Sequence, residues 1–418
     1  MELRNYQSPN NPTRREFFRT GIGIAAGATT SLFVSEKTLA DGRTPLIETQ
    51  QDATDVRIKS VETFVLAFET KSPIRDAIHS FSDRGGVVTR IHTNVGVTGH
   101  SYTYFGTIPG GPRVVAQIIN EELFDVIKGE DPFFVKRIRD KMWKATEYHG
   151  VTGVVQFGIA AVDMAVWDII GRVLGKPLYK ILGGFRDRVP AYAMVGWYYD
   201  NEDEFTRRCA AAIEEGFRAV KIKVGLGSLS DDIRRIKMAR KTIGDTADLM
   251  VDANQAFSVS TALERGKAYQ DMGVFWFEEP LPPHNHDGYE ELGDKLSVRI
   301  ATGENEYTKY AFADLIRRGG VDVVQPDNRR TGGVTEWMEI AALADAFHIQ
   351  VASHGGGPGN LNMLAAMPNA IYLESGSLKG QSMYEVNLKM VEGEVLVPDV
   401  PGLGTAVRDD YIKRHRIG

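Results

Sequence analysis

Ala219-Val-Lys-Ile-Lys-Val-Gly225 is an apolar stretch interrupted by two lysines. Side chains alternate between the two faces of a β-strand, so Lys221 and Lys223 are predicted to share one face. Burying two ammonium groups side by side in an apolar core costs more than a strand can recover, so this face is predicted to open onto a polar site. Repulsion between the cations is expected to lower the pKa of at least one lysine, which would make it a usable base. A solvent-facing edge strand is the alternative for this stretch taken alone.

Five segments downstream repeat one pattern, in which a short apolar run ends in an acid or a histidine. Their last residues follow one another at intervals of 23 to 27 residues. That period fits one strand, one helix and two loops, which is the repeating unit of a parallel barrel with its functional groups at the C-terminal strand ends. Weaker signals place a first barrel strand at residues 189–195 and an eighth at 371–374. The five segments end at Asp252, Glu278, Glu304, Asp327 and His354.

Length and composition limit the classes of protein to which the chain can belong. The chain of 418 residues is long enough for a barrel and a second domain. Its 43% hydrophobic and 25% charged residues are typical of a globular protein, and a net charge of −6 gives no reason to expect a nucleic-acid partner. The single cysteine, Cys209, excludes an intramolecular disulfide and a zinc site built from cysteines.

The N-terminal residues read as a targeting segment. Residues 13–19, Thr-Arg-Arg-Glu-Phe-Phe-Arg, resemble the twin-arginine export motif, and a weakly apolar run and a cleavage-like site at residues 38–40 follow. The run is too short and too rich in Gly, Ala and Thr for a membrane span. We therefore expect a twin-arginine signal segment over residues 1–40, a linker over 41–55, and export to the periplasm or cell envelope without a stable membrane span. A basic disordered tail is the alternative.

Residues 56–185 precede the barrel. Strands are predicted at 61–68, 87–93 and 97–104 as an antiparallel meander, and helical patterns follow from 112 to 180. One of these helices contains Ala161-Val-Asp-Met-Ala-Val-Trp-Asp168, whose acids are expected to pack and cap helices.

From about residue 56 to the C-terminus, the chain resembles the enolase superfamily, and within it the mandelate racemase subgroup, also known as the mandelate racemase/muconate lactonizing enzyme family. The resemblance implies an α/β fold with a (β/α)7β modified TIM barrel over residues 186–390 and an α+β capping domain over residues 56–185. Residues 391–418 are expected to return to the capping domain. The matching motifs are the Lys-x-Lys strand, Asp252-Ala-Asn254, Glu278-Glu-Pro280, Gly303-Glu-Asn305, Gln325-Pro-Asp327 with Gly332-Gly333, Ser353-His354 and Trp167-Asp168.

Three acids form the predicted metal site. Asp252, Glu278 and Glu304 offer carboxylates from adjacent strands with no sulfur or imidazole, which suits one Mg²⁺ per subunit. Without a cation the three carboxylates would repel one another and protonate. Only one side chain of the Glu278-Glu279 pair can face the barrel mouth. The resemblance assigns Glu278, and Glu279 is expected to face outward into the supporting packing.

A metal beside a lysine fits abstraction of the proton next to a carboxylate, because the enediolate needs electrostatic stabilisation. A lysine or histidine base with Mg²⁺ is an established property of enolase-superfamily sites. Lys223 is assigned as the base, and Lys221 as the neighbour that lowers its pKa and contacts the substrate carboxylate. His354 and Asp327 are expected to form a second acid/base group across the barrel. By the same resemblance, Glu374 would hydrogen-bond a substrate carboxylate oxygen, and substrate contacts are expected from Asn254 and His79.

Acid/base groups on both sides of a substrate permit racemisation, dehydration or ring isomerisation. The resemblance implies that capping-domain loops set specificity, here residues 74–86 and 101–111, and their polar side chains favour a polyhydroxylated acid. The leading hypothesis is therefore dehydration of a sugar acid to a 2-keto-3-deoxy acid, with His354 as the acid that expels the 3-hydroxyl. The loop side chains in question are Arg75, Asp76, His79, Asp83, Arg84, Tyr102 and Tyr104.

Alternatives to a dehydratase fit parts of the same pattern. A racemase/epimerase or a cycloisomerase of a hydroxy acid would use the same groups. A non-catalytic exported sugar-acid-binding protein belongs to another class, but binding alone would need neither base. A barrel metallohydrolase is disfavoured because those sites rely on histidine ligands. The expected partner is a small-molecule carboxylate, and the chain is expected to form a homo-oligomer.

Overall fold

The computed structural model describes residues 55–104, 110–199, 201–380 and 382–418, without the side chains of residues 69–73, 82–83 and 104. The predicted signal segment, nearly all of the predicted linker and residues 105–109 of the second specificity loop lie outside the described residues. So do the side chains of Asp83 and Tyr104.

The described chain begins with an antiparallel sheet in the order β1-β2-β3. A loop predicted over residues 74–86 is wrong, because β1 and β2 continue through most of it. After a register shift the backbone of Ile74 pairs with Phe81 and that of Arg75 with Ser80, which leaves a turn of only four residues at 76–79. The strands are β1 (Ile58–Arg75), β2 (Ser80–Thr93) and β3 (Thr98–Tyr104).

Helices cover one side of this sheet. The longest, Val154–Val173, is apolar on nearly all sides because it packs between the sheet and the barrel, and 16 of its residues are buried. It is the one helix among the described residues that is long and apolar enough to cross a membrane, and its burial is that of a core helix. The helices are α1 (Gly111–Gln117), a π-helical turn (Ile118–Leu123), α2 (Phe124–Ile127), α3 (Val135–Thr146), a 3-10 turn (Glu147–His149), α4 (Val154–Val173) and α5 (Leu178–Ile181).

The barrel follows. In the described part of the chain, eight parallel strands form a closed sheet in sequence order, since the last strand pairs with the first, and seven helices connect them. This confirms the predicted (β/α)7β architecture. The strands are β4 (Arg188–Gly196), β5 (Ala219–Lys223), β6 (Asp248–Asp252), β7 (Trp276–Glu278), β8 (Arg299–Thr302), β9 (Val323–Val324), β10 (Gln350–Ala352) and β11 (Ala370–Ser375). The helices are α6 (Glu202–Glu215), α7 (Leu229–Ile243), α8 (Val259–Asp271), α9 (His286–Lys295), α10 (Lys309–Arg318), α11 (Gly333–Ala346) and α12 (Pro358–Ala366).

The barrel interior beneath the strand ends is a packed layer. Tyr192 and Trp276 meet edge to face, with ring centroids 5.3 Å apart, and small side chains fill the remaining space. This layer closes the barrel from below, so that polar groups at the C-terminal strand ends face only the mouth. Its other buried members are Ala219, Met250, Ala301, Val323 and Ala352.

The acids of α4 make the helix-packing and capping contacts expected of them. Asp163 accepts hydrogen bonds from the backbone N–H of Thr335 at 3.0 Å and from its hydroxyl at 2.5 Å, in the first turn of α11. Asp168 accepts the backbone N–H of His100 at 2.9 Å and of Leu403 at 2.7 Å. Both carboxylates therefore tie α4 to its surroundings.

The last part of the chain contacts both regions. A short hairpin of β12 (Lys389–Val391) and β13 (Glu394–Leu396) extends the barrel sheet, because β13 pairs antiparallel with β4. The chain then passes α4 and ends in α13 (Asp409–His415), which packs on β1. There the backbone N–H of Ile417 donates to the carbonyl of Val65 at 3.0 Å.

Candidate active site

The two lysines of β5 point into the barrel mouth, as the alternation predicts. Their exposed fractions are 1% for Lys221 and 4% for Lys223. Lys223 lies in register with Asp252 of β6, and Asp252 with Glu278 of β7. Parallel pairing therefore brings three charged residues to one level at the strand ends.

The predicted metal ligands meet at this level. Asp252, Glu278 and Glu304 each offer one carboxylate oxygen, and these oxygens all lie within 4.8 Å of one another. All three residues are buried. Trp276 Nε1 and Gln325 Nε2 donate to the second oxygen of Glu278 at 3.0 and 2.8 Å, which fixes that side chain. Three buried oxygen donors fit one hard divalent cation such as Mg²⁺.

The lysines are held by these carboxylates. Lys223 Nζ lies 2.6 Å from Asp252 Oδ2, and Lys221 Nζ lies 2.5 Å from Glu278 Oε1 and 2.8 Å from Glu374 Oε2. Burial lowers the pKa of each lysine, but attraction to the carboxylates outweighs it and raises both pKa values above the ordinary one. The predicted lowering of a lysine pKa is therefore wrong for this arrangement, because the nearby acids outnumber the lysines. A divalent cation bound to the same acids would lower the pKa values of both lysines.

His354 and Asp327 form the predicted dyad. His354 Nδ1 lies 2.7 Å from Asp327 Oδ2, and its Nε2 lies 3.4 Å from Glu304 Oε2. Arg329 also contacts Asp327, through Nε at 2.8 Å and Nη2 at 2.6 Å. Burial would raise the pKa of Asp327, but Arg329 and His354 hold it well below its usual range. The carboxylate is thus ionised and fixes the orientation of the imidazole.

Glu374 stands beside Lys221. Tyr192 donates to Glu374 Oε2 at 2.7 Å, and the backbone N–H of Gly355 donates to Oε1 at 3.2 Å. Burial would raise the pKa of Glu374, but Lys221 and His354 hold it below its usual range. An ionised Glu374 accepts hydrogen bonds and does not donate them. To form the predicted hydrogen bond to a substrate carboxylate, Glu374 would have to be protonated. Lys221 and His354 disfavour that protonation.

Glu279 lies buried in the supporting packing and does not line the cavity at the barrel mouth. Its exposed fraction is 0%, and its Oε1 accepts a hydrogen bond from Asn305 Nδ2 at 2.7 Å. Burial, with the charges of Glu304 and Asp252, raises its pKa well above the usual value. Strand alternation does not apply to Glu279, because β7 ends at Glu278 and the next residue turns to a φ of +40°.

A cavity of about 500 Å³ opens above the carboxylates. Of the predicted specificity residues, Asp76, His79 and Arg84 line it. Tyr102 does not; it is only 9% exposed and packs in an apolar cluster of the capping domain, so its assignment to the lining is wrong. Arg75 is also absent from the lining. The other lining residues are Ile78, Phe81, Met194, Trp197, Lys221, Lys223, Asn254, Gln255, Glu304, Asn305, Arg329, Arg330, His354, Gly355 and Glu374.

Several lining residues were not found from the sequence. Arg329 and Arg330 directly follow the Gln-Pro-Asp motif, and their position in the turn after β9 was a usable signal. Arg330 Nη1 donates to the backbone carbonyl of Glu304 at 2.8 Å. Trp197, just beyond β4, carried no signal, because aromatic residues at strand ends are common in cores. Its ring lies 4.7 Å from Lys223 Nζ.

A barrel with three carboxylates, a lysine and a histidine-aspartate dyad at its mouth defines an enzyme of the enolase superfamily. Two family models match the chain. One is described as mandelate racemase / muconate lactonizing enzyme, N-terminal domain, and covers residues 60–183. The other is described as enolase C-terminal domain-like and covers residues 204–411. The chain belongs to the mandelate racemase / muconate lactonizing enzyme family.

Named relatives narrow the reaction class. An arabinonate dehydratase from Saccharolobus solfataricus is 33% identical over 86% of this chain and 99% of the relative. A 3,6-anhydro-alpha-L-galactonate cycloisomerase from Streptomyces coelicolor is 31% identical over 86% of this chain and 100% of the relative. L-talarate/galactarate dehydratase from Salmonella typhimurium LT2, liganded with Mg and L-lyxarohydroxamate, has a TM-score of 0.82 and 28% identity over 87% of this chain and 94% of that one. The chain is therefore a lyase or an isomerase, and the Mg in the solved relative agrees with the predicted cofactor.

Proposed function

We propose that this enzyme dehydrates a polyhydroxylated sugar acid to a 2-keto-3-deoxy acid with Mg²⁺ as cofactor. The observation that carries the proposal is the placement of two proton-transfer groups in one cavity. Lys223 enters from β5 and His354 follows β10, and these strands lie apart in the closed sheet. Each group is within 3.4 Å of a different metal-site carboxylate.

The two groups can divide the reaction between them. Lys223, as the free amine, takes the proton from C2 of the substrate. His354, as the imidazolium, gives a proton to the hydroxyl at C3, which leaves as water. The resulting enol becomes the 2-keto-3-deoxy acid by taking up a proton at C3. When bound, Mg²⁺ supplies the positive charge that offsets the negative charge of the enediolate.

The cavity lining supports a hydroxylated substrate. Asn254 Oδ1 is buried at the cavity without a hydrogen-bond donor among the described residues. A buried acceptor of this kind is costly unless a donor meets it, and a substrate hydroxyl is such a donor. The backbone N–H of Asn254 donates to Asp252 Oδ1 at 2.9 Å, so the side chain has a fixed place beside the metal ligands.

The experiment combines product detection with isotope exchange. Sugar acids are incubated with the enzyme and Mg²⁺, and the 2-keto product is measured. With an active substrate in deuterated water, Lys223→Ala should stop exchange at C2, whereas His354→Asn should retain exchange and lose dehydration. Each loss should be about 10²–10⁴-fold.

Excess chelator is the metal control and should abolish turnover. Two results would overturn the proposal: full activity in chelator, or dehydration that survives in Lys223→Ala for every active acid. If the substrate reacts without loss of water, the enzyme is a cycloisomerase or an epimerase, which the 31% identical cycloisomerase keeps as the second candidate.

A further inference from the structure

Among the described residues, Arg84 is a cation of the cavity that has no anionic partner. It lies on β2, close to the turn of the capping-domain hairpin, and lines the same cavity as Lys223 and His354. Its Nε is buried without a hydrogen-bond acceptor. The guanidinium carbon lies over the ring of Phe81, 5.9 Å from the ring centroid.

The other cations of the lining are already matched. Asp76, the nearest acid in sequence whose side chain is described, accepts the backbone N–H groups of Ile78 and His79 at 2.8 and 2.6 Å and also contacts the His79 ring. It is therefore committed to its own turn. The remaining pairs are Lys221 with Glu374, Lys223 with Asp252, Arg329 with Asp327, Arg330 with Glu304 and His354 with Asp327.

Two aromatic rings connect Arg84 to the base. Lys223 Nζ lies 4.7 Å from the ring of Trp197, and the rings of Trp197 and Phe81 meet edge to face at 5.6 Å. Arg84 follows on the other side of Phe81. It therefore stands on the capping-domain wall, beyond the group that acts on C2, where the far end of a substrate would lie.

We infer that Arg84 binds a second carboxylate, so the substrate class is a sugar diacid with a carboxylate at each end. This inference rests on the proposed dehydratase function. A buried guanidinium Nε–H without an acceptor is costly, and a carboxylate can accept from Nε and a neighbouring Nη in two parallel hydrogen bonds. The terminal hydroxymethyl group of a monoacid offers no charge and only one oxygen. Discrimination on the order of 10²-fold between the two acids is expected from such a contact.

The test uses matched six-carbon pairs, galactarate with galactonate and glucarate with gluconate. For the wild type, kcat/KM should be higher for the diacid. Arg84→Gln should lower kcat/KM for the diacid about 10²-fold and leave that for the monoacid nearly unchanged, while Arg84→Lys should retain part of the preference. Arg113→Gln, at an exposed position of α1, is the matched control and should change neither value. Thermal unfolding of each variant checks that it is folded.

Binding gives an independent readout. Calorimetry on Lys223→Ala protein with Mg²⁺ should show tighter binding of the diacid than of the monoacid, and adding Arg84→Gln should remove the difference. The inference is wrong if both acids bind or react equally, if neither binds, or if Arg84→Gln weakens both alike. Absence of 2-keto product from any acid, with diacid-selective binding retained, would count against the dehydratase function and not against the role of Arg84.

Discussion

Lys221 contacts more charged groups than its neighbour Lys223 does, because three carboxylates surround its ammonium group. Its ammonium lies 2.5 Å from Glu278, 2.8 Å from Glu374 and 3.5 Å from Asp252, and it is 1% exposed. Tyr192 contributes a fourth contact, with its hydroxyl 3.2 Å from Nζ. A buried charge of this kind stabilises a protein only as part of its network, because removing one partner leaves the others unpaired. Lys221 therefore holds the acids together and also lines the cavity.

Lys221→Met should destabilise the metal-free enzyme by about 3–5 kcal/mol, since it leaves buried carboxylates without their cation. Mg²⁺ should then raise the melting temperature more in the variant than in the wild type, because the ion alone must offset the acids. Thermal unfolding in chelator and in Mg²⁺ measures both effects.

Lys309→Met is the matched control for this prediction. Its ammonium pairs with Glu339 at 2.6 Å, but its side chain is 37% exposed, so the loss should stay within about 1 kcal/mol. Equal destabilisation by the two substitutions would show that the buried network contributes no more than a surface pair.

For single residues, the sequence predicted which way the side chains point but not how their charges balance. Alternation along β5 was enough to place Lys221 and Lys223 on one inward face. The sign of their pKa shifts was missed, because it depends on how closely acids from several strands approach. Those distances are set by barrel closure, which no single segment encodes.

At the scale of elements, Asp163 joins α4 to the start of α11. Burial raises the pKa of Asp163 to about 6, although Thr335 and Arg139 act in the other direction. The unfolded chain releases this proton near pH 4 and the folded chain keeps it until about pH 6. The contribution of Asp163 to the free energy of unfolding therefore falls as the pH rises from about 4 to 6, by about 3 kcal/mol at roughly 1.4 kcal/mol per pKa unit.

Asp163→Asn should remove this dependence, because the amide has no proton to lose and can still meet the N–H and hydroxyl of Thr335. Relative to the wild type, the variant should gain stability as the pH rises from 4 to 6, measured by chemical denaturation at several pH values. Asp140→Asn, at an exposed position of α3, is the control and its stability curve should run parallel to that of the wild type. Parallel curves for Asp163→Asn would mean that Asp163 is ionised in the fold over the whole range.

Element boundaries show where sequence reasoning stops. β5 lies within the predicted stretch of residues 219–225, because apolar residues flank both lysines and a glycine follows. The hairpin of β1 and β2 was mistaken for a loop at residues 74–86, since its end is polar and strands exposed at a domain edge lack apolar alternation. The sequence predicted Arg84 near the substrate because its loop is polar. The structure places Arg84 on β2, and a strand holds its side chain in a more fixed position than a loop would.

At the scale of the whole molecule, the period of 23 to 27 residues was sufficient to predict a barrel, because parallel strands need a crossover helix each time. The period could not show how the C-terminal segment divides. That segment adds β13 to the barrel and α13 to the capping domain, and both contacts are set by distant residues. Homo-oligomer formation stays a prediction.

We propose that the segment before the fold directs export by the twin-arginine route. The Arg14-Arg15 pair lies outside the described residues and precedes the first strand, which begins at Ile58. Substituting both arginines with lysine keeps the charge but changes the planar groups that a receptor reads. The double variant should therefore stay in the cytoplasm, folded and active, as judged by cell fractionation and enzyme assay. Arg19→Lys, in the same basic segment but outside the pair, should be exported normally. Export of the double variant at the wild-type level would show that the segment is an ordinary basic tail.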